Sequence, residues 1–497
     1  MNSNNNEISS LLTEEPLNKI HPKSNKSSTL RYVTFNINGA NTLFNYHPWN
    51  KFNQDYNALF QSLQADIITL QELKLSNQTL PTIKDIGHLR NYKSFISLPI
   101  SKKGYSGVGL FVRIPDSSES KNVKRNLTVI RAEEGITGWL SSKLTNGDTI
   151  PSRPSPYRDQ TDNNIGGYPD IDELEGLAID SEGRCVCIEL ANSLVVFALY
   201  CPANSQGTEE GEKFRLKFLQ ILFERAYELK FKLGKEVIIM GDINVSPDLI
   251  DNAEGMKDRI NENLIRPSLT SDGYNFEIIN YEECWKFKSS TKARELLNKY
   301  TIPGLWHDLI LDTNTQKAVD TQFLYDSTRF IQGRKMNIYT VWNTLTGARQ
   351  INHGSRIDLI LCSCYNMVKR ISKADIWPFI LGSDHCPVFT DFDVELDEDQ
   401  DIDEEHQEHA EVVPTKLNFE AKYHYKLSKS RDISTLFGSK KTPSESTSRE
   451  STPNSASSSQ RSIESSQPPA KKPKLQYTSR KTQQKQTNQK PISGFFK

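Results

Sequence analysis

Between Arg31 and about Phe392 the chain alternates short apolar runs with helical spacings; outside that interval neither pattern persists. VTF at 33–35, IITL at 67–70, VVFALY at 195–200 and VIIM at 237–240 are too short for helices and predict strands. RIDLIL at 356–361 alternates with period two and predicts another. Tyr56, Leu59, Phe60 and Leu63 follow a helical spacing, as do Phe214, Phe218, Ile221, Leu222 and Leu229, a stripe that belongs in a core. Strands alternating with helices predict a layered α/β domain over residues 30–393, with an irregular insertion at 143–172. Residues 1–29 are polar and are expected to be disordered. Beyond the domain, an acidic linker at 394–411 precedes a mostly disordered tail at 412–497. That tail is dominated by Ser, Thr, Gln, Pro and Lys, which bury too little apolar area to offset chain entropy.

Charge sharpens this division. The net charge is only −1, yet residues 391–411 hold 12 acids and no Lys or Arg, while 471–497 hold 8 bases and no acid. Such blocks mark solvated segments. The seven cysteines fall between Cys185 and Cys386 with no C-x-x-C pair. Cys185/Cys187 and Cys362/Cys364 stand in apolar alternation, as buried strand thiols would, which argues against zinc fingers and a secreted disulfide framework. No apolar run reaches the roughly 20 residues of a membrane span, and MNSNNNEISS lacks the apolar stretch of a signal peptide. A soluble intracellular protein is expected.

The candidate chemistry lies at strand ends. Polar residues follow directly in FNING (35–39), LQELK (70–74), LYCPANS (199–205) and MGDINVSP (240–247), and GSRIDLILCS (354–363) and GSDHCP (382–387) belong with them. Loops rooted in a sheet are where α/β folds carry catalytic groups. There is no P-loop, no G-x-S-x-G and no His-rich zinc spacing. Carboxylates and amides are hard oxygen donors that suit Mg²⁺, and a hard metal beside an Asp and a His suits phosphate-ester hydrolysis. Asp358, a carboxylate within a strand, needs a buried partner, and His385 can supply it.

In this order, the motifs resemble the exonuclease III family of AP endonucleases, most closely its second eukaryotic branch, over residues 31–393. The resemblance implies a DNase I-like four-layer sandwich, two mixed β-sheets flanked by helices, and Mg²⁺-dependent cleavage of DNA phosphodiesters, with Mn²⁺ able to substitute. It implies Glu72 as the principal metal ligand beside Asn38, with Asp384 near the metal or leaving group. Asn36 would support the site, Asp242 would orient or deprotonate water, and Asn244 would hold the phosphate or that water. His385 would contact a non-bridging oxygen with Asp358 holding its tautomer, and Tyr200 would donate to the phosphate or leaving oxygen. Asp242, Asn244 and His385 are counted with the metal set as well. Lys74, Asn204 and Trp342 are candidate substrate contacts. His307 and His353 are expected to be structural or peripheral.

Some positions depart from the family pattern. Tyr200-Cys201-Pro202-Ala203-Asn204 is one residue longer than Y-x-P-N, and Asn38 stands where some members carry Asp. Val341, ahead of Trp342, and Ser355 replace aromatic residues of the sugar pocket, which implies a shift toward 3′-end processing. Same-fold enzymes acting on inositol phosphates, sphingomyelin or poly(A), and a non-catalytic repair scaffold, are the alternatives.

In the tail, PPAKKPKL at 468–475 has the clustered bases of a nuclear import signal, so a nuclear protein is expected, with a mitochondrial fraction open. Gln489, Ile492, Phe495 and Phe496 fit Q-x-x-[ILM]-x-x-[FY]-[FY], which resembles a peptide that binds the sliding clamp PCNA. One tight helical turn would put the three apolar side chains on one side. SRDISTLF at 430–437 is a weaker copy without the Gln. Expected partners are therefore double-stranded DNA with abasic or 3′-blocked ends and the clamp, with no membrane, for a monomeric enzyme.

Overall fold

The computed structural model describes residues 13–25, 27–75, 86–100, 104–141, 155–161, 164–302, 322–394 and 417–424. Strands run in the order β1 (Thr29–Asn36), β2 (Ile67–Gln71), β3 (Tyr92–Ser97), β4 (Val108–Arg113), β5 (Val129–Glu134), β6 (Cys185–Leu190) and β7 (Leu194–Tyr200). They continue through β8 (Glu236–Asp242), β9 (Tyr325–Asp326), β10 (Val341–Trp342), β11 (Gly354–Ser355), β12 (Asp358–Cys362), β13 (Ile371–Ile376) and β14 (Val388–Asp393). One six-stranded sheet has the order β13-β14-β1-β2-β4-β3 and the other β5-β6-β7-β8-β12-β9, while β10 and β11 form a separate ribbon. In each sheet one pair is parallel, β1 with β2 and β7 with β8, and the other pairs are antiparallel.

Period two explains why the central strands are continuously apolar. In β7, Leu194, Val196 and Ala198 face the other sheet, where they share a core with Leu30, Tyr32 and Leu110. Val195, Phe197 and Leu199 point the other way, onto Phe218, Leu222 and Leu229 of the helix Glu209–Phe231. Likewise Val33 and Phe35 of β1 pack against Leu59, Phe60 and Leu63, at and just beyond the helix Tyr56–Ser62. The result is the expected four layers, with two helical layers outside two sheets. Thr208 caps the long helix by accepting from Gly211 N–H, and Glu209, Glu210 and Glu212 favour its positive end.

β1 and β14 are joined across 360 positions by a buried ion pair. Arg31 Nε and Nη2 donate to the two carboxylate oxygens of Asp391 at 2.7 and 2.8 Å, and the guanidinium lies over the Trp377 and Phe389 rings. Its remaining protons reach the Leu63 and His21 carbonyls, so no charge is left without a partner.

The expected boundaries change at both ends. Within the segment expected to be disordered, Leu17 and Ile20 enter the outer core of the first sheet, and Lys23 Nζ lies 2.7 Å from Asp66. Leu417–His424, inside the expected tail, returns to the edge of the first sheet, where Glu420 bridges to Phe95 in β3. Phe419 is buried there, its ring 6.2 Å from Phe95 and 6.4 Å from Tyr157. Two or three apolar residues in a polar stretch do not shift its composition, yet they suffice to cover an open edge strand. The second half of the insertion also packs, through Tyr157, Ile165 and Ile171. Cys185, Cys187 and Cys362 are buried strand thiols as expected, whereas Cys364 lies past the end of β12 and is half-buried. Among the described residues no helix is long and apolar enough to cross a membrane. The basic cluster, the 430–437 copy, His307 and the motif at Gln489, Ile492, Phe495 and Phe496 lie outside the described residues.

Truncating Phe419 to Ala should destabilise the domain by about 3 kcal/mol in urea unfolding, the usual cost of emptying a buried aromatic site. An unchanged midpoint would show that the returning segment contributes nothing to the fold.

Candidate active site

The two parallel pairs set the site. β1 and β2 run side by side, so Asn36 and Glu72 emerge at one end; β7 and β8 do the same for Tyr200 and Asp242, which are register partners. Gly241 lets β8 approach β7 closely, since a Cβ there would fall 2.0 Å from the Leu199 carbonyl oxygen. The backbone is bent sharply where these strands end. Asn38, Glu72, Lys74 and Asn244 all adopt left-handed φ between 49° and 56°, a conformation that Asn tolerates better than Glu or Lys.

Asn36 ties the sheets together. Its Nδ2 donates to Glu72 Oε1 and to Asp242 Oδ2, each at 3.0 Å. Glu72 Oε2 receives Lys74 Nζ at 2.8 Å, and the same ammonium reaches Asn38 Oδ1. Asn38 Nδ2 donates to Asp384 Oδ1 at 2.9 Å. Ser383, within the GSDHCP motif, donates its hydroxyl to the Asn36 carbonyl at 2.7 Å and fastens that loop to β1. On the other side, Asn244 N–H donates to Asp242 Oδ1 at 3.0 Å, and its Nδ2 to the Cys201 carbonyl at 2.8 Å.

His385 completes the set. Its Nδ1 donates to Asp358 Oδ2 at 2.8 Å, while Nε2 lies 3.9 Å from Asp242 Oδ2. Burial opposes a charge on this ring, but the charge and hydrogen bond of Asp358, then Asp242 and Asp384, outweigh it and raise the imidazole from 6.5 to about 10. The stability gained is complete below the unfolded value near 6.5 and is lost as pH rises through about 10. Burial and the neighbouring Asp358 push Asp242 up to about 8, against the opposing pull of His385 and Asn36. Glu72 goes the other way: burial raises it, but the hydrogen bonds of Asn36 and Lys74 bring it below the ordinary value. The Tyr200 hydroxyl hydrogen-bonds Glu72, and burial with the charges of Glu72 and Asp242 keeps it firmly protonated.

These groups border a cleft of about 650 Å³ whose walls include Glu72, Tyr200, Asp242, Asn244, Asp384 and His385. The other sequence-predicted residues are placed variously. Asn36 and Asn38 stand behind the wall as hydrogen-bonding supports. Asn204 lines the mouth, but its amide is committed to its own loop, donating to the Thr208 carbonyl at 3.1 Å and Glu212 at 3.2 Å. Trp342 is 2 % exposed and is packed under Arg349, with Nε1 donating to Asn352 at 3.1 Å, while its neighbours Val341 and Ser355 face the cleft. His353 is peripheral, pairing with Glu254 at 2.8 Å.

Three arginines of the cleft were missed in the sequence. Arg184 lies between the Tyr105 and Tyr200 rings, 5.2 and 5.0 Å from their centres, and donates to the Tyr200 carbonyl. Arg215 donates to the Asn244 carbonyl at 2.8 Å and Arg294 to that of Ser246 at 3.0 Å. Arg215 and Arg294 sit on amphipathic helices, where a lone Arg carries no periodic signal.

The donors also test whether a metal fits. Asp242, Asp358 and His385 offer ligand atoms within 4.8 Å of one another, but an imidazolium bound to Asp358 has no lone pair for a cation. Glu72, Asn38 and Asp384 are the hard oxygen set, and Glu72 and Asn38 already gather round one positive charge, the Lys74 ammonium. They fit a hard divalent cation.

The fold and the site together define a phosphodiester-hydrolysing nuclease. Residues 33–162 match the endonuclease/exonuclease/phosphatase family. The chain is 39 % identical over 426 residues to DNA-(apurinic or apyrimidinic site) endonuclease 2 of Saccharomyces cerevisiae, covering 84 % of this chain and 75 % of that protein. Proteins of the same name from Schizosaccharomyces pombe and Homo sapiens are 31 % and 28 % identical, over 74 % and 72 % of this chain; in each the match spans 59 % of the relative's own length. The crystal structure of the Xenopus laevis APE2 catalytic domain is similar with a TM-score of 0.51 at 25 % identity, covering 74 % of this chain and 94 % of that one. The chain belongs to the AP endonuclease 2 family of DNA-repair nucleases.

Replacing Asp358 with Asn should lower the His385 titration clearly from about 10, because burial remains while the largest compensating charge is gone and only Asp242 and Asp384 are left to oppose it. Imidazole NMR signals followed through the neutral and alkaline range would test this; a titration still near the original value would refute the assignment.

Proposed function

We propose that the chain is a Mg²⁺-dependent DNA phosphodiesterase of base excision repair. It would cut 5′ to abasic sites, remove 3′-blocking groups and degrade DNA 3′→5′. Its main support is the Asn36 bridge, which holds Glu72 and Asp242, carboxylates of opposite protonation tendency, on one wall of a cleft with His385. Pairs of acids pushed apart in this way are the mark of acid–base chemistry.

Glu72, with Asn38 and Asp384, would hold the cation, and Mn²⁺ would substitute for Mg²⁺. When bound there, the cation would supply positive charge to offset the negative charge that builds on the phosphate. Asp242 takes a proton from the attacking water; its raised proton affinity makes it a better base than an ordinary carboxylate. Asn244, anchored to Asp242 and to Cys201, steadies the phosphate or that water. The His385 imidazolium donates Nε2–H to a non-bridging oxygen as charge builds there, and Asp358 fixes its orientation. Tyr200 stays protonated and donates to the phosphate or leaving oxygen. Lys74 neutralises Glu72 and would offer its ammonium to the DNA backbone.

The cleft surface at Val341 and Ser355 lacks the aromatic walls that would grip a flipped-out sugar. This supports 3′-end processing over internal cleavage. A panel of 3′-blocked, internal abasic and undamaged duplexes, with an inositol phosphate as control, tests both claims. The 3′-blocked duplex should be cut fastest, and Asp242→Asn should lower kcat by at least about 10²-fold. Turnover of the inositol phosphate with inert DNA would overturn the proposal.

The tail motif at Gln489, Ile492, Phe495 and Phe496 would dock the nuclear, monomeric enzyme onto PCNA, supplying effective concentration at the clamp. Phe495→Ala with Phe496→Ala should leave cleavage of free oligonucleotides unchanged and abolish stimulation by loaded clamp. Unchanged stimulation would refute the docking role.

A further inference from the structure

Past Asn244 the cleft continues to a wall that none of the catalytic roles uses. Arg215 comes from the helix Glu209–Phe231 and Arg294 from the first turn of the helix Lys292–Thr301, and both line the cleft. Arg294 is 8 % exposed and lies flat on Phe287, its guanidinium carbon 3.7 Å from the ring centre. Its polar partners are the Ser246 carbonyl and the Ser290 hydroxyl, both neutral. Arg215 has one carboxylate neighbour, Glu212 at 3.4 Å, and its Nε is buried without any hydrogen-bond partner.

Two guanidiniums thus share one wall, and one carboxylate, Glu212 beside Arg215, is the acidic partner of the pair. Burial, then the like charges of Arg215 and Arg259, depresses Arg294 to about 10. Buried like charges are expensive unless an anion joins them, and Arg is the side chain that binds phosphate in a two-pronged fashion. A third element faces the same space. Thr291, the N-cap of the ten-residue helix Lys292–Thr301, lines the cleft, so the helix's positive end adds to the two charges.

We propose that Arg215, Arg294 and the helix end at Thr291 form a second phosphate subsite, which binds a phosphodiester neighbouring the scissile one on the strand being cut. This rests on the DNA phosphodiesterase function above and deepens it. The same arginines donate to the Asn244 and Ser246 carbonyls, directly after Asp242. A phosphate between them draws both guanidiniums into one arrangement and stiffens the loop that carries Asn244. Occupancy of the subsite therefore sets the reacting phosphate against Asp242 and His385, so that a strand end lacking this phosphate is held less well.

Methylphosphonate scanning tests the subsite, because it removes the charge of one phosphate and leaves the protein intact. Duplexes carry a single neutral linkage at each position flanking the cut. In the unaltered full-length chain one flanking position should raise KM about tenfold, the weight of a charged hydrogen-bonding pair. In Arg215→Gln that penalty should shrink to within about twofold, and Arg215→Lys should restore part of it. A scan with no sensitive position in the unaltered chain overturns the subsite, and so does a penalty of the same size in Arg215→Gln. Failure to cut the unmodified duplex would instead overturn the DNA phosphodiesterase function itself, so the two are separable.

Discussion

One amide proton pair on Asn36 holds the site together. Its two N–H groups reach Glu72, at the end of β2, and Asp242, at the end of β8, and so join two sheets whose shared core is mainly apolar. Three carboxylates, Glu72, Asp242 and Asp358, crowd into this corner, and their mutual repulsion has to be met by donors. Asn36, Lys74 and the His385 imidazolium meet it from three sides. The amide's special value is that it is neutral and still satisfies an anion on each sheet. A cation there would pull both carboxylates down together and erase the difference that separates Glu72 from Asp242.

The same reasoning explains which parts of the molecule were legible beforehand. Strands buried on both faces show as unbroken apolar runs, and the polar residues at their ends stand out against them. Every motif from FNING to GSDHCP was visible on that contrast, and the parallel pairing of β1 with β2 and β7 with β8 turns it into one corner of the fold. Arg184, Arg215 and Arg294 had no such background. Each sits among other charged residues in sequence, and only the folded chain reveals that backbone carbonyls are among their partners. The packed ends escaped for another reason. Leu17, Ile20 and Phe419 are isolated apolar residues in polar surroundings, and composition averages over them.

The left-handed residues add a link between backbone and chemistry. Asn38 and Asn244 occupy that conformation at little cost, since the short amide tolerates it. Glu72 and Lys74 do not, yet adopt it two residues apart, and the ion pair between them fixes the turn that the backbone resists. Side-chain charge and strained backbone are thus mutually dependent at this point: a group that displaces Lys74 from Glu72 also removes a restraint on the turn that presents it.

β14 lies between β13 and β1, with Arg31 and Asp391 locked at their shared face. The last of the described strands is therefore an interior strand of its sheet, and its partner β1 is the first of them to be synthesised. A nascent chain can form β1, β2, β3 and β4 on the ribosome, but one edge of β1 stays bare, with Arg31 lacking its Asp391 carboxylate, until residue 393 has emerged. His385, three residues ahead of β14, arrives with that closing strand. The nuclease corner cannot assemble before translation of the domain is complete, so a prematurely terminated chain carries an open sheet and no working centre.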